Sequence, residues 1–361
     1  MIPLRLRATS HNSDPFVVRL FRDWHPELTG DDAYLVSCDE SCLSFASGRG
    51  DFVLHGVQAG DVDGDVVLVV PKGGTAQRLI RANSRHNTIL ITERCDQTCV
   101  MCSQPPKAKH FDWFEYFKAA VRLAPLGCTI GLSGGEPTLY KAQLFDLLAT
   151  AVNERPDLSF HILSNGQHFD KGDFSFFDAL EPRAVTWGIP LYSHLPETHD
   201  KIVAKQGAYN KLLDSFGILF QVGAAIELRT VITQWNSQEF DELARFVCAN
   251  LAFISQWSIM QLEPIGYGRQ NWEQLFFDHS KEFSMIAKAV DIARAAGLCV
   301  RLFNFPLCTV PHEYRELAPA TISDWKQKFL PECAPCGLRE SCTGFFEWYK
   351  HDKGFGRISA Q

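Results

Sequence analysis

Three closely spaced cysteines are the part of the sequence best suited to chemistry. Cys95, Cys99 and Cys102 follow the apolar run NTILIT at 87–92. Three thiolates on one short loop can bind three irons of a 4Fe–4S cluster and leave the fourth iron free for a substrate group. A zinc site is the alternative, because His110 offers the fourth ligand that zinc requires. The loop taken alone leaves both possibilities open.

A glycine-containing turn, LSGGEPTL at 132–139, follows the next strand-like run. Gly134 and Gly135, after Ser133, would let the backbone approach a ligand closely. Glu136 supplies a carboxylate that could hold an ammonium group, and Pro137 stiffens the turn. The alternative is an ordinary turn between a strand and a helix.

Two further polar features lie in strand-like segments. Ser164 and Asn165, in the phrase LSNG at 163–166, offer hydrogen-bonding groups where a strand ends. Arg229 places a charge inside the apolar run AIELRTVI at 225–232. Charges are rarely buried without a partner, so an anionic ligand would explain Arg229. A structural salt bridge explains it equally well.

Four more cysteines lie near the C-terminal end of the sequence. Cys333, Cys336 and Cys342 are closely spaced, and Cys308 precedes them in the phrase FNFPLC. Four thiolates can close a metal site completely, and four cysteines suit a structural zinc ion. A second 4Fe–4S cluster would use the same ligands.

The pattern of apolar runs predicts an α/β fold. Six strands are expected at 87–92, 128–133, 159–164, 184–190, 225–232 and 255–262, with amphipathic helices between them. Such alternation implies a parallel sheet, and six units suit a partial (β/α)6 barrel of the TIM type. Catalytic residues should then cluster at the carboxyl ends of the strands, where the motifs above lie.

Composition and the residue pattern along the chain indicate the domains, the partners and the location to be expected. We expect a β-rich N-terminal domain at 1–85, the α/β core at 86–300 and a small Cys-rich domain at 301–361. The net charge of −7 and the lack of a basic block argue against nucleic-acid binding. No signal peptide or apolar run of membrane-spanning length is visible, which favours a cytoplasmic protein without a membrane partner.

The cysteine loop followed by the GGEP turn resembles the radical S-adenosylmethionine (SAM) superfamily over roughly residues 87–300. The resemblance implies that Cys95, Cys99 and Cys102 hold a catalytic 4Fe–4S cluster whose open iron is chelated by SAM. It also implies that Gly134, Gly135 and their neighbours in the turn contact the SAM amino group. Electron transfer to SAM would give a 5′-deoxyadenosyl radical that abstracts hydrogen from a substrate.

The same resemblance assigns softer roles to other residues of the core. Met101 stands where an aromatic residue is common beside the adenine, and a methionine can also pack against a ring. Ser164 and Asn165 lie in the region that contacts the ribose. Arg229 would meet the SAM carboxylate, and the phrase EPIGYG at 263–268 would border the adenine.

The C-terminal cysteines and several phrases sharpen the resemblance. The spacing of Cys308, Cys333, Cys336 and Cys342 is similar to that of auxiliary-cluster domains, which implies a second 4Fe–4S cluster with zinc as the alternative. The phrases MCSQPP, IPLYS, ETHDKIV, ISDWK and LPECAPC resemble the His-Xaa-Ser system radical SAM maturases of the HxsC type. That family implies a ribosomally made peptide substrate, an electron donor such as flavodoxin or ferredoxin, and a companion maturase.

Two other functions are kept as alternatives. A radical SAM enzyme could act on a small molecule or a nucleoside. A non-catalytic iron–sulfur or zinc protein could instead bind a partner, although the complete cysteine loop and GGEP turn argue against it. Anaerobic cleavage of SAM separates the enzymes from the binding protein.

Overall fold

The N-terminal part is a closed seven-stranded β barrel. The computed structural model describes residues 4–39, 41–181 and 184–361. The strand order around the barrel is β1-β5-β4-β3-β2-β6-β7, and a short helix, α1, precedes β6. The bounds are Arg5–Ser10 (β1), Phe16–Phe21 (β2), Asp32–Cys38 (β3), Cys42–Ser47 (β4), Phe52–His55 (β5), Ala59–Val62 (α1), Val66–Val70 (β6) and Thr75–Ile80 (β7).

Side-chain alternation explains why this barrel closes on an apolar interior. In β1, Leu6 and Ala8 are buried while the residues beside them face outward, as expected for period-two strands. The turn between β6 and β7 uses Gly74 at φ +62°, a conformation that favours glycine. The predicted β-rich character of this region therefore agrees with the structure.

A parallel sheet of seven strands forms the centre of the molecule. Its order is β14-β13-β12-β11-β10-β9-β8, so neighbours in the sheet are consecutive in the chain. The bounds are Asn87–Thr92 (β8), Thr129–Gly134 (β9), Ser159–Leu163 (β10), Val185–Pro190 (β11), Ala225–Ile232 (β12), Gln256–Gln261 (β13) and Val300–Phe303 (β14).

The sequence correctly predicted a parallel sheet but gave it six strands instead of seven. All six predicted strands are present within a residue or two of the expected bounds. The seventh strand, β14, was missed because VRLF is too short to show a clear period. It also crosses the predicted boundary at 300, so the sheet extends into the predicted Cys-rich domain. Because β8 and β14 are both edges, the sheet is open.

Helices connect the strands and cover the sheet. The large buried side chains Trp187, Trp257 and Phe160 lie in the core that the helices and sheet share. None of the helices in residues 4–39, 41–181 and 184–361 has the length and apolar character to cross a membrane. The bounds are Phe114–Arg122 (α2), Lys141–Glu154 (α3), Phe174–Asp178 (α4), Pro196–Val203 (α5), Ala208–Gln221 (α6), Phe240–Asn250 (α7), Gly266–Gln270 (α8), Trp272–Leu275 (α9) and Ser284–Ala295 (α10).

The C-terminal segment after β14 has little regular structure. It consists of short 3-10 turns and one two-stranded sheet, β15 (Gln327–Lys328) paired with β16 (Phe345–Phe346). Phe345, Tyr349 and Phe355 pack in one apolar cluster with Met101 and Leu262 of the core. This segment therefore covers the edge of the sheet at which the strands end, and its being a separate domain stays a prediction.

One buried arginine fastens the C-terminal segment to the linker between barrel and sheet. Both terminal nitrogens of Arg81 donate to the Asp324 carboxylate, at 2.7 and 2.9 Å. One of these nitrogens also donates to Ser84 Oγ. Planar, bidentate recognition of this kind is particular to arginine.

We therefore expect Arg81→Lys to loosen the segment around Asp324. Because the Asp324 carboxylate is largely exposed, the loss should be only about 1 kcal/mol, which makes proteolytic cleavage near Asp324 roughly fivefold faster. Arg85→Lys, at an exposed position in the same linker, is the matched control. Equal cleavage rates in the two variants would contradict this account of Arg81.

Candidate active site

The cysteine loop lies where β8 ends, at the carboxyl edge of the sheet. The Val100 amide donates to the Ile202 carbonyl at 2.9 Å, and Asn271 Nδ2 donates to the Val100 carbonyl at 2.7 Å. Residue 202 belongs to α5, and residue 271 lies between α8 and α9. The loop is thus held by parts of the chain far from it in sequence.

The glycine turn is bonded directly to the start of this loop. The Gly135 amide donates to the Thr92 carbonyl and the Glu136 amide to the Arg94 carbonyl, each at 2.8 Å. A Cβ atom at Gly134 would lie 2.1 Å from the Thr92 carbonyl oxygen, and one at Gly135 would lie 2.1 Å from that of Arg94. The close approach that both glycines allow is therefore an approach to the cysteine loop. Their contact with a ligand stays a prediction.

The Glu136 carboxylate lies at the centre of the hydrogen bonds behind the turn. Its Oε1 accepts from the Thr138 amide (2.8 Å), the Thr138 hydroxyl (2.5 Å) and the Ser164 hydroxyl (2.9 Å). Its Oε2 accepts from the Asn165 amide at 2.5 Å. Burial raises the pKa of Glu136, although these donors oppose the shift. The residue is 0% exposed, and its carboxylate joins the end of β9 to the end of β10.

Asn165 connects this arrangement to the cysteine loop from the other side. Its Nδ2 donates to Asp96 Oδ1 at 2.7 Å and lies 4.0 Å from Cys95 Sγ. Lys205 donates to the other Asp96 oxygen, and His168 Nε2 lies 3.3 Å from it. Burial would raise the pKa of Asp96, but the nearby His168 and the bonds to Lys205 and Asn165 hold it well below its usual range.

Sequence reasoning identified Asn165 and missed its partner Asp96, together with the Lys205 and His168 side chains that contact Asp96. Asp96 stands between the first two cysteines, so its position in the loop was the available signal. Lys205 and Asp96 are 109 residues apart, and no local pattern joins them. Together they fix the side of the loop that carries Cys95.

The three loop thiols are in an environment that disfavours an uncompensated negative charge. Burial raises the pKa of Cys95 to about 11 and that of Cys99 to about 12, and it also raises the pKa of Cys102. The neighbouring sulfurs raise the pKa values of Cys95 and Cys99 further. A metal group bound to the sulfurs would supply the positive charge that thiolates need here.

The positions of the possible ligands can be compared with the geometry that a zinc site requires. Zinc ligands converge to about 2.0–2.3 Å from one ion. No three His, Cys, Asp or Glu side chains are so placed in the part of the chain that the structure describes. His110, the fourth ligand considered for zinc, instead has its Nδ1 3.1 Å from Thr92 Oγ1 and stacks on Tyr140. A cluster imposes a different geometry, because each of its ligands binds a different iron.

Arg229 is engaged in an ion pair inside the sheet. Its Nη1 donates to Glu227 Oε2 at 2.8 Å, and the same oxygen lies 2.6 Å from His161 Nε2. Ser258 donates to the other oxygen of Glu227. Residues two apart on a strand face the same side, so Glu227 was a partner visible in the sequence. The structure thus contains the salt bridge that was one of the two explanations of Arg229, and a contact with SAM stays a prediction.

The remaining predicted residues lie around the loop and turn. Met101 is buried and packs with Leu262, the residue after β13. Pro137 is buried at the start of a 3-10 turn, and Ser133 is half-buried in β9. Burial raises the pKa of Tyr192, and the three loop sulfurs lie close enough to raise it further. Tyr192 packs against the apolar cluster that contains Met101.

The four C-terminal cysteines line a single cavity. The space is about 350 Å³, is partly open to solvent, and is also lined by Leu307, Phe329, Phe345 and Ile358. The amides of Leu307 and Gly344 donate to Cys342 Sγ, at 3.3 and 3.4 Å. Burial raises the pKa of Cys308 to about 11. The fold thus brings together the four cysteines Cys308, Cys333, Cys336 and Cys342.

Comparison with protein families identifies the core. Residues 89–247 match the family model described as Radical SAM superfamily. The chain contains a radical SAM domain. A domain of this superfamily implies an enzyme that uses a 4Fe–4S cluster and SAM. Comparison with curated proteins gave no match.

Several solved structures resemble the radical SAM domain and its surroundings. Streptococcus suis SuiB bound to S-adenosylmethionine is 17% identical, with a TM-score of 0.49. SuiB bound to the precursor peptide SuiA is 16% identical, with the same TM-score of 0.49. The alignments cover 62% of this chain and 51% and 49% of the two SuiB chains, so this chain spans about half the length of SuiB.

A further similar structure is anSMEcpe with bound AdoMet and the Cp18Cys peptide. It is 14% identical, with a TM-score of 0.47, and the match covers 59% of this chain and 62% of that one. Similarities at this level say nothing about which substrate the present radical SAM domain accepts.

The contact between the glycine turn and the cysteine loop gives a test of the radical SAM site. We expect Gly135→Ala to displace the Arg94–Cys95 backbone, to cost about 1–3 kcal/mol of stability and to reduce the iron bound after anaerobic reconstitution. Gly217→Ala is the matched control, because Gly217 lies in α6 with open space around its Cα. Full iron content in Gly135→Ala would mean that the loop does not depend on this contact.

Proposed function

We propose that this chain is a radical SAM enzyme that modifies a ribosomally made peptide. The observation that carries the enzymatic part is the bonding of the Gly135 and Glu136 amides to Thr92 and Arg94. These two residues lead into the Cys95–Cys102 loop at the carboxyl edge of a parallel sheet. The match of residues 89–247 to the superfamily model supports the same chemistry. The peptide substrate is supported by the resemblance of several phrases to the HxsC type of maturase.

The proposed roles follow the residues that the structure brings together. Cys95, Cys99 and Cys102 bind three irons, and the turn at Gly134–Gly135 meets the amino group of SAM. When bound, the cluster and SAM supply a radical that abstracts hydrogen from the substrate. The chain's own residues orient these groups and exclude water.

Three of the proposed contacts with SAM involve side chains that already form hydrogen bonds or an ion pair within the protein. Glu136 already accepts four hydrogen bonds, so a contact with the SAM amino group would use the remaining lone pair of Oε2. Arg229 would meet the SAM carboxylate while it remains paired with Glu227. Ser164 would contact the ribose only if its hydroxyl turns away from Glu136.

We further propose that Cys308, Cys333, Cys336 and Cys342 bind a second 4Fe–4S cluster. The shared cavity supports this, as do the two amides that point at Cys342 Sγ, because hydrogen bonds to sulfur tune such clusters. Zinc is the alternative occupant. Flavodoxin or ferredoxin would supply electrons, and a companion maturase would complete the proposed system in the cytoplasm.

Reductive cleavage of SAM tests the proposed chemistry. Anaerobically reconstituted protein with dithionite should release 5′-deoxyadenosine from SAM, measured by liquid chromatography. Changing Cys95, Cys99 and Cys102 together to Ala should reduce the product to background, because the cluster loses all its protein ligands. A second triple variant, Cys128, Cys248 and Cys299 to Ala, removes the same number of thiols outside both cysteine groups and should stay active. Activity retained by the first variant would refute the assignment.

Metal content tests the second cluster. Wild-type protein should bind about eight irons, since each cubane cluster contains four. Changing Cys308, Cys333, Cys336 and Cys342 to Ala should leave about four irons with a cubane Mössbauer signature. One tightly bound zinc and about four irons in the wild type would show that the C-terminal cysteines form a zinc site instead.

A further inference from the structure

One lysine contacts the cysteine loop although it belongs to a distant part of the chain. Lys205 lies just after α5, and its ammonium donates to the carboxylate of Asp96, between the first two loop cysteines. The Lys205 side chain is 28% exposed and that of Asp96 is 23% exposed. Partly buried charges are screened by solvent and salt much less than surface charges. This ion pair can therefore act electrostatically on the groups beside it.

The turn after α5 holds this lysine in place. Ala204 has φ +53°, a left-handed conformation that costs energy for a residue other than glycine. The Lys205 amide donates to the Asp200 carbonyl at 3.0 Å. The Asp200 carboxylate in turn accepts from the amides of Gly207 and Tyr209, at 2.5 and 2.8 Å. These bonds fix the backbone of Lys205 beside the loop, so that little freedom is lost when its side chain reaches Asp96.

Asn165 brings the Asp96 carboxylate close to the first cysteine of the loop. Its Nδ2 donates to Asp96 Oδ1 at 2.7 Å, and the same nitrogen lies 4.0 Å from Cys95 Sγ. A single NH2 group thus lies between the carboxylate and the sulfur. A change in the charge at Asp96 should therefore be felt at whatever group Cys95 binds.

The charge of Asp96 is balanced by one ammonium group. In residues 4–39, 41–181 and 184–361, Lys205 is the only lysine or arginine within ion-pair distance of this carboxylate. His168 Nε2 lies 3.3 Å from it, but an imidazole carries a charge only when protonated. Removing the Lys205 charge would leave an unbalanced negative charge near Cys95. Removing the Asp96 charge would leave an unbalanced positive one.

We propose that the ion pair of Lys205 and Asp96 sets the reduction potential of the cluster held by the cysteine loop. Reduction adds one negative charge to a cluster, so a nearby cation favours it and a nearby anion opposes it. The charge around a cluster is one of the factors that set its potential. Lys205 acts through Asp96, so it is a positioning residue. The inference rests on the proposed function, because it requires the cluster to be present.

The ion pair matters because the electron comes from a donor of limited strength. An unbalanced Asp96 would lower the potential of the cluster and make its reduction by the proposed flavodoxin or ferredoxin less favourable. Lys205 prevents this by offsetting the carboxylate without adding a net positive charge. The length of chain between the two residues means that α5 must pack correctly before the charge is balanced.

The reduction potential can be measured on the full-length reconstituted protein by a potentiometric titration with dithionite. Electron paramagnetic resonance detects the reduced cluster. The relevant signal is the one that changes when SAM is added, because SAM binds the cluster that has an open iron. Opposite shifts are expected when the two charges of the ion pair are removed one at a time.

Lys205→Met removes the positive charge and keeps a long side chain. At the potential at which half of the wild-type cluster is reduced, its ratio of reduced to oxidised cluster should fall roughly tenfold. Asp96→Asn removes the negative charge and keeps the shape of the side chain. Its ratio at the same potential should rise roughly tenfold.

Three further variants separate charge from shape. The double variant with Asp96→Asn and Lys205→Met has no unbalanced charge, so its ratio should return to within about threefold of wild type. Lys205→Arg keeps the positive charge and should also stay within about threefold. Lys211→Met, which removes an exposed lysine of α6, is the matched control and should leave the ratio unchanged.

The outcomes separate this inference from the proposed function. Potentials that do not change in Lys205→Met and Asp96→Asn would overturn the inference, and so would shifts of both variants in the same direction. Should Lys205→Met fail to retain iron, Asp96→Asn decides alone, and the absence of a rise overturns the inference. Lack of any SAM-responsive cluster signal in the wild type would instead refute the proposed function, and the inference with it.

Discussion

A buried carboxylate constrains the whole catalytic edge of the sheet. Removing the charge of Glu136 from water is costly, and only the four donors that surround it offset that cost. Two of these donors, the Ser164 hydroxyl and the Asn165 amide, reach the carboxylate only when β9 and β10 end side by side. The turn is thereby fixed, and its amides at 135 and 136 in turn fix the first residues of the cysteine loop.

The same constraint limits what the turn can offer a ligand. A carboxylate has about four lone-pair sites, and three donors already crowd Oε1 of Glu136. The protein thus uses this side chain first to hold its own backbone. Gly134 and Gly135 follow the same logic, because their missing side chains make room for the carbonyls of Thr92 and Arg94. These residues therefore position a neighbouring group, and they offer it few free hydrogen-bonding atoms.

Local patterns predicted the elements well and the contacts between them poorly. The strand at 225–232 was visible as an apolar run, because burial on both faces leaves a continuous signal. Strand β14 was not visible in the sequence, because a run of four residues is too short to show a clear period. The ion pair of Lys205 with Asp96 could not be predicted at all, because it depends on how α5 ends beside the cysteine loop. The pair of Glu227 and Arg229 could have been, since two residues on one face of a strand meet.

The C-terminal segment makes the environment of the cysteine loop depend on residues far along the chain. Met101 of the loop belongs to an apolar cluster that also contains Phe345 and Tyr349 and that contacts Cys308 and Cys333. Water is excluded across this cluster, and charges interact more strongly in such a medium than in solvent. A change of charge at one group of cysteines therefore affects the other group more strongly than it would through water.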